Sequence, residues 1–106
     1  MRSERKQVVC EERVRQVPRQ FSWVDGRLVR EAFCRRCQPD ELALYLFLVT
    51  VGDAEGLSYY ADASVSRLFN LPAQRLAAAR DGLCRADLVA YREGLYQVLE
   101  LPEVRS

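Results

Sequence analysis

The stretch DASVSRLFNLPAQRLAAARDGLCRADLVAYREGLYQVL, residues 62–99, decides the predicted fold, and its last twelve residues are the most informative part. Glu93-Gly94 is a two-residue turn sequence between two runs of strand-forming residues, which is typical of a β-hairpin. With these two residues in the turn, the facing pairs are Arg92 with Leu95, Tyr91 with Tyr96, Ala90 with Gln97, Val89 with Val98, and Leu88 with Leu99. The tyrosine and valine pairs share one face, and such matched pairs stabilise antiparallel strands. We therefore expect a hairpin over residues 88–99.

A short helix and a sharp reversal of the chain are predicted before the hairpin. Asp62 suits the N-cap of a helix from Ala63 to Phe69. The side chains expected to be buried on that helix are Val65, Leu68 and Phe69. Asn70 follows, and asparagine tolerates the left-handed backbone conformation that a sharp reversal requires.

A longer helix is predicted from Pro72 to about Ala86, because proline is well suited to the start of a helix. Its apolar positions recur at helical spacing, so we expect one inward face made of Leu76, Ala79, Leu83 and Cys84. Asp87 ends this helix at a second position that often has a positive φ.

A buried helix and a short strand are predicted upstream. Pro39 suits the first residue of a helix, and residues 42–51 are apolar at nearly every position. A helix that is apolar on all sides is buried on all sides, so we expect this to be the central helix. Gly52 ends it, residues 53–56 form a loop, and Leu57 to Tyr60 is a short strand by composition.

The N-terminal third is less regular. Residues 1–20 form a charged arm whose valines support a strand or a loose helix equally well. Phe21 to Val24 is predicted to be a short extended segment that anchors the arm to the domain through two rings, rather than a platform for stacking bases. Asp25 suits the N-cap of a helix over residues 26–37, whose apolar stripe is Leu28, Val29, Ala32, Phe33 and Cys37. One domain is expected over residues 21–101, followed by a tail, 102–106.

No enzyme, metal ion or cofactor is predicted. The chain has no histidine, the commonest general base near neutral pH and the commonest metal ligand. Cys34-Arg-Arg-Cys37 lacks a second paired motif for a metal site and a strand-helix context for a redox pair, so we expect Cys37 to be a small core residue and Cys34 to be incidental. The carboxylates expected to cap a helix and solvate a loop are Asp40, Glu41, Asp53 and Glu55.

The charge is unevenly distributed along the chain. Residues 1–37 carry ten basic and five acidic groups, for +5, and residues 38–62 carry five acidic groups and no basic one, for −5. Residues 63–93 carry five basic and three acidic groups, for +2. An anionic partner would meet the two basic regions and avoid the middle. The ten-residue apolar run from Leu42 to Val51 is shorter than the roughly 20 residues of a membrane span, and a cytoplasmic protein is expected.

The predicted order of helix, short strand, short helix, turn, longer helix and hairpin resembles the winged helix-turn-helix family. The resemblance covers about 60 of the 106 residues. Its most specific part is an apolar helix, a turn, a second helix and an apolar first strand of the wing, carried by Val65, Leu68, Asn70, Leu71, Leu76, Ala79, Leu83, Leu88 and Val89. Asn70 and Asp87 stand where the family usually has glycine, and both residue types tolerate left-handed geometry. The fold class expected is therefore α+β, mostly helical, with an N-terminal extension strand and helix.

This resemblance implies binding of duplex DNA, with the longer helix in the major groove, by a bacterial transcriptional, mobile-element or replication regulator. On that helix, Gln74 would pair with adenine and Arg75 with guanine or phosphate, and Arg80 would also be exposed. Arg67 and Arg92, at the wing tip, would contact phosphates. The basic segment from Arg2 to Arg19 would follow the backbone.

Two further expectations concern partners. The helix from Pro72 displays three alanines and Asp81 beside Gln74 and Arg75, and small side chains favour close helix packing. The alternative function is therefore a winged-helix module that docks another protein and does not bind DNA itself. For the DNA-binding protein we expect a homodimer formed through the N-terminal segment, because residues 1–37 hold more apolar surface than a 60-residue domain needs to cover itself.

Overall fold

A computed structural model describes residues 6–103 and places one apolar helix at the centre of the protein. Its elements are helix α1 (Arg27–Arg30), helix α2 (Pro39–Val51), strand β1 (Leu57–Tyr59), helix α3 (Asp62–Phe69), helix α4 (Ala73–Arg85), strand β2 (Val89–Arg92) and strand β3 (Leu95–Val98). Two short three-ten turns lie at Glu11–Arg13 and Phe33–Arg36. The fold is therefore α+β and mostly helical, as predicted. The first five residues of the predicted arm, Arg2 among them, and the last three of the tail lie outside the described residues.

Helix α2 begins where the sequence predicts. Pro39 is its first residue, and the backbone N–H of Gln38 donates to Glu41 Oε1 at 2.9 Å in a capping box. Leu44 and Leu48 face the core and are 1% and 0% exposed. The prediction that this helix is buried on every side was wrong, however, because Leu46 is 59% exposed. The reason is that α4 and β3 pack on α2 and leave the side chain of Leu46 accessible.

The hairpin has the predicted register. Val89 pairs with Val98 and Tyr91 with Tyr96, and the two turn residues, Glu93 and Gly94, have φ of 48° and 89°. These positive values match the twist of two antiparallel strands. Strand β1 adds to the free side of β3, which gives a three-stranded antiparallel sheet in the order β1-β3-β2.

The reversal between α3 and α4 also forms as predicted. Asn70 is left-handed at φ 54°, and the N–H of Leu71 donates to Ser66 O at 2.9 Å. Asp87, after α4, is left-handed at φ 64°. Four residues of α4 were predicted to face inward. Three of them are buried, Leu76, Ala79 and Leu83, whereas Cys84 is exposed.

Helix α3 differs from the prediction at two positions. Leu68 is 65% exposed, because the short helix turns Val65 and Phe69 toward the core and leaves Leu68 on its flank. Asp62 is the first residue of the helix rather than its N-cap, and its carboxylate bonds a side chain on α4 instead of the helix backbone.

The predicted helix over residues 26–37 does not form. Helix α1 ends at Arg30, Ala32 is left-handed at φ 63°, and a three-ten turn follows at Phe33–Arg36. In a continuous helix, residues five apart lie about 140° apart around the axis, so Leu28 and Phe33 would not reach one core. The break at Ala32 lets both side chains become buried.

The predicted N-terminal strand is likewise absent from the sheet. Residues 21–24 form no strand and pair with none of the three strands, and Phe21 and Trp23 are 67% and 74% exposed. The expectation that these rings anchor the arm was therefore wrong. The segment is held to α2 instead by the hydroxyl of Ser22, which donates to Thr50 O at 2.9 Å.

Helices α2 and α4 approach closely at Gly82, where a Cβ would overlap the buried Glu41 carboxylate. We expect Gly82→Ala to destabilise the protein by about 1–3 kcal/mol, although alanine favours helix by about 1 kcal/mol. In a Glu41→Ala background the overlap is gone, so the same change should stabilise by up to about 1 kcal/mol. Urea unfolding of the four chains measures both values.

Ala78, exposed on the same helix, provides the matched control for this experiment. Ala78→Gly should cost about 1 kcal/mol with or without Glu41. An equal effect of Gly82→Ala in both backgrounds would contradict close packing against Glu41.

Candidate nucleic-acid interface

The outward face of α4 is nearly neutral. Exposed or half-buried side chains recur every three or four residues and so lie on one side of the helix, as Gln74, Ala77, Ala78, Asp81 and Arg85. One acidic and one basic residue cancel within this set. Gln74 contributes the amide of the face, and Arg85 was missed by the sequence analysis, although its position eleven residues after Gln74 places it on the same side.

Arg75 is held by another helix rather than facing outward alone. Its Nη2 and Nε contact the Asp40 carboxylate at 2.6 and 2.8 Å, a two-point ion pair between α4 and the start of α2. Hydrogen bonding from Arg75 lowers the pKa of Asp40 below its ordinary range. Asp40 thus serves the α2–α4 contact, and its charge offsets that of Arg75.

Arg80 points into the fold, so the prediction that it is exposed was wrong. Only 13% of its side chain is accessible. Its Nη1 donates to Asp62 Oδ1 at 2.8 Å and to the hydroxyl of Tyr96 at 2.9 Å, and its guanidinium lies 4.4 Å from the ring centre of Tyr91. Burial lowers the pKa of Arg80, but the bonds to Asp62 and Tyr96 outweigh this effect and raise it overall.

The other three predicted contact residues are exposed. Arg67 is in the last turn of α3, Gln74 is in the first turn of α4, and Arg92 ends β2 beside the hairpin turn. The ion pairs found within residues 6–103 involve Arg27, Arg75 and Arg80. Within that same part of the chain, Arg67 and Arg92 are in no ion pair.

Two carboxylates and one cysteine considered in the sequence analysis make structural contacts. Glu41 caps α2, and Asp53 Oδ1 accepts hydrogen bonds from the backbone N–H groups of Glu55 and Leu57, as predicted for a cap and a loop. Cys37 packs at the edge of the core, where burial raises the pKa of its thiol. Within residues 6–103, no three cysteine or carboxylate side chains are grouped to hold a metal ion.

Comparison with protein-family models gives no match, and neither does comparison with curated proteins or with solved structures. Across the described residues, no helix has the length and apolar character to cross a membrane.

The Arg80 contacts generate a stability prediction. Arg80→Ala should destabilise the protein by about 2–4 kcal/mol, because it leaves the buried Tyr96 hydroxyl without a partner and removes packing on Tyr91. Asp62→Ala should cost less than about 1 kcal/mol, since Asp62 is 47% exposed and water replaces its bonds. Thermal and urea unfolding measure both changes. Equal costs for the two variants would show that the Tyr96 bond contributes little.

The Asp40–Arg75 pair generates a pH prediction. Because the pKa of Asp40 is lowered in the folded state, the pair stabilises the fold above the ordinary aspartate pKa and loses that contribution as pH falls through the lowered value. Arg75→Ala should raise the Asp40 pKa toward its ordinary value. Carboxyl NMR titration of both chains measures the change, and an unmoved pKa would show that the ion pair is absent in solution.

Proposed function

We propose that this protein is a winged helix-turn-helix domain that binds duplex DNA mainly through its phosphates. The observation that carries the proposal is the element order α2-β1-α3-α4-β2-β3 combined with the strand order β1-β3-β2. In this assignment α3 and α4 are the helix-turn-helix pair, reversed at Asn70, and the β2–β3 hairpin is the wing. The role of the protein is regulation of transcription, or of the replication or movement of a genetic element, as the resemblance to the winged helix-turn-helix family implies.

The structure changes the contacts expected from the sequence. Arg75 and Arg80 are occupied by Asp40 and Asp62, so neither is assigned a role at the DNA. The contacts with phosphates are therefore assigned to three exposed arginines on three different elements, Arg67, Arg85 and Arg92. Phosphate contacts position a protein without reading sequence.

Base reading by α4 is correspondingly sparse. Gln74 is suited to pair with adenine in the major groove. Ala77 and Ala78 offer methyl groups, which suit contact with the thymine methyl rather than hydrogen bonding. Asp81 lies on the same face and would repel a phosphate placed beside it. The domain should therefore show modest sequence preference, with A·T pairs favoured over G·C.

The test is binding to random and A·T-rich duplexes across a salt series, followed by fluorescence anisotropy. Affinity should fall steeply with salt, with a log–log slope of about −0.9 for each phosphate neutralised. Arg67→Ala and Arg92→Ala should each reduce the slope by about 1 while affecting all sequences alike. Gln74→Ala should leave the slope unchanged and reduce the preference for A·T-rich duplexes.

Arg30 supplies the matched control, because it is an exposed arginine on α1, outside the helix-turn-helix and the wing. Arg30→Ala should leave the slope unchanged. Absence of binding at about 50 mM salt would overturn the DNA proposal, since non-specific binding is strongest at low salt.

A second candidate function is docking of another protein through α4. It is favoured by the outward face of α4, which carries Gln74, Ala77, Ala78 and Asp81. The small side chains of the two alanines allow a second helix to approach closely. Ala77→Arg together with Ala78→Arg separates the two functions. These changes should strengthen DNA binding if α4 enters the groove, whereas they should abolish binding of a protein partner to this face.

A further inference from the structure

An open cleft of about 540 Å³ lies on the side of the protein where the N-terminal segment crosses α2. Its floor is apolar, formed by the buried side chains of Tyr45, Leu48 and Leu101. Its walls are the segment 21–25, the loop 52–56 and the chain that follows β3.

The rim of this cleft is acidic. Four carboxylates line it against one arginine, for a formal charge of −3: Asp25, Asp53, Glu55 and Glu100, with Arg27. Arg27 is itself bonded to Asp25, with Nη2 2.8 Å from Oδ2, and its guanidinium also donates to the carbonyl oxygen of Leu101. The cleft thus suits a ligand that is apolar along one side and basic along the other.

The N-terminal arm has this character. Every residue from 6 to 20 is exposed. Its valines are between 50% and 101% exposed, namely Val8, Val9, Val14 and Val17. Residues 8–19 carry Arg13, Arg15 and Arg19 against Glu11 and Glu12, for a formal charge of +1, and Lys6 just before them adds one more positive charge. The arm therefore complements the cleft in charge and in apolar character.

The arm does not fill the cleft of its own chain. Among the described residues that precede Phe21, 6–20, none lines the cleft. The radius of gyration is 16.3 Å, whereas a compact chain of this length has about 13 Å, so the arm extends away from the body. An extended segment of residues 8–19 spans up to about 40 Å, enough to reach a neighbouring molecule.

We propose that the arm of a second copy of this chain, residues 8–19, occupies the cleft, and that two copies exchange arms around a two-fold axis. Each chain offers one arm and one cleft, so a reciprocal dimer satisfies both at once and closes the assembly. The exposed rings of Phe21 and Trp23, at the cleft wall, are covered by the same contact. The inference is independent of DNA binding.

Sedimentation velocity of the full chain from about 0.1 to 100 µM tests the proposal over the affinity range of ordinary interfaces. The mass should double from the 12.2 kDa of one chain as concentration rises. The arm variant Val14→Asp with Val17→Asp and the cleft variant Glu55→Arg with Glu100→Arg should each raise the dissociation constant at least about tenfold. All four side chains are exposed in one chain, so folding is preserved. Arg67→Ala is the control that should leave the mass unchanged.

Mixing the two defective chains distinguishes arm exchange from other dimers. One intact arm and one intact cleft remain in each mixed pair, so the mixture should associate more tightly than either variant alone. A wild-type chain that is monomeric at 100 µM would overturn the proposal of arm exchange and would leave the proposal of DNA binding unaffected. Reduced DNA affinity of the arm variant, with no change in mass, would assign the arm to DNA and would also overturn it.

Discussion

The bond between Arg80 and Tyr96 fixes how the hairpin sits on the helices. Tyr96 is fully buried, and a buried hydroxyl is costly unless a partner satisfies it. Arg80 supplies the partner, and its remaining donors bond Asp62 at the start of α3 while its plane covers Tyr91. One side chain therefore couples α3, α4 and the sheet. The relative positions of the helix pair and the hairpin, on which any outward surface depends, follow from this contact.

The same constraint sets the chemistry of the surface. An arginine used inside the fold is not available outside it, and Asp40 holds Arg75 in a similar way. The face of α4 is left with an amide, two methyl groups, Asp81 and Arg85. Within the helix pair and the hairpin, the exposed positive charge is consequently carried by Arg67, Arg85 and Arg92. This distribution favours contact with a regular polyanion over reading of individual bases.

Part of the apolar surface stays uncovered within one chain. Leu46, Phe21 and Trp23 remain exposed, although α4 and the sheet pack on α2. The rings of Phe21 and Trp23 line the acidic cleft, and the basic arm precedes them in the chain. The acidic middle and basic start of the sequence thus become two complementary surfaces of one chain. The arm exchange proposed between two copies would bring these two surfaces together.

The hairpin register, the left-handed positions at Asn70 and Asp87, and three of the four residues predicted for the buried face of α4 could be predicted from the sequence, because each depends on neighbours within a few residues. The direction in which the arginines point depends on packing, since Arg80 and Arg75 meet carboxylates 18 and 35 positions away. The break at Ala32 also depends on packing, because the predicted helical stripe contains Leu28 and Phe33 but does not show that the helix must break for both to be buried. Helical periodicity identifies which residues share a face, but only packing determines whether another element covers that face.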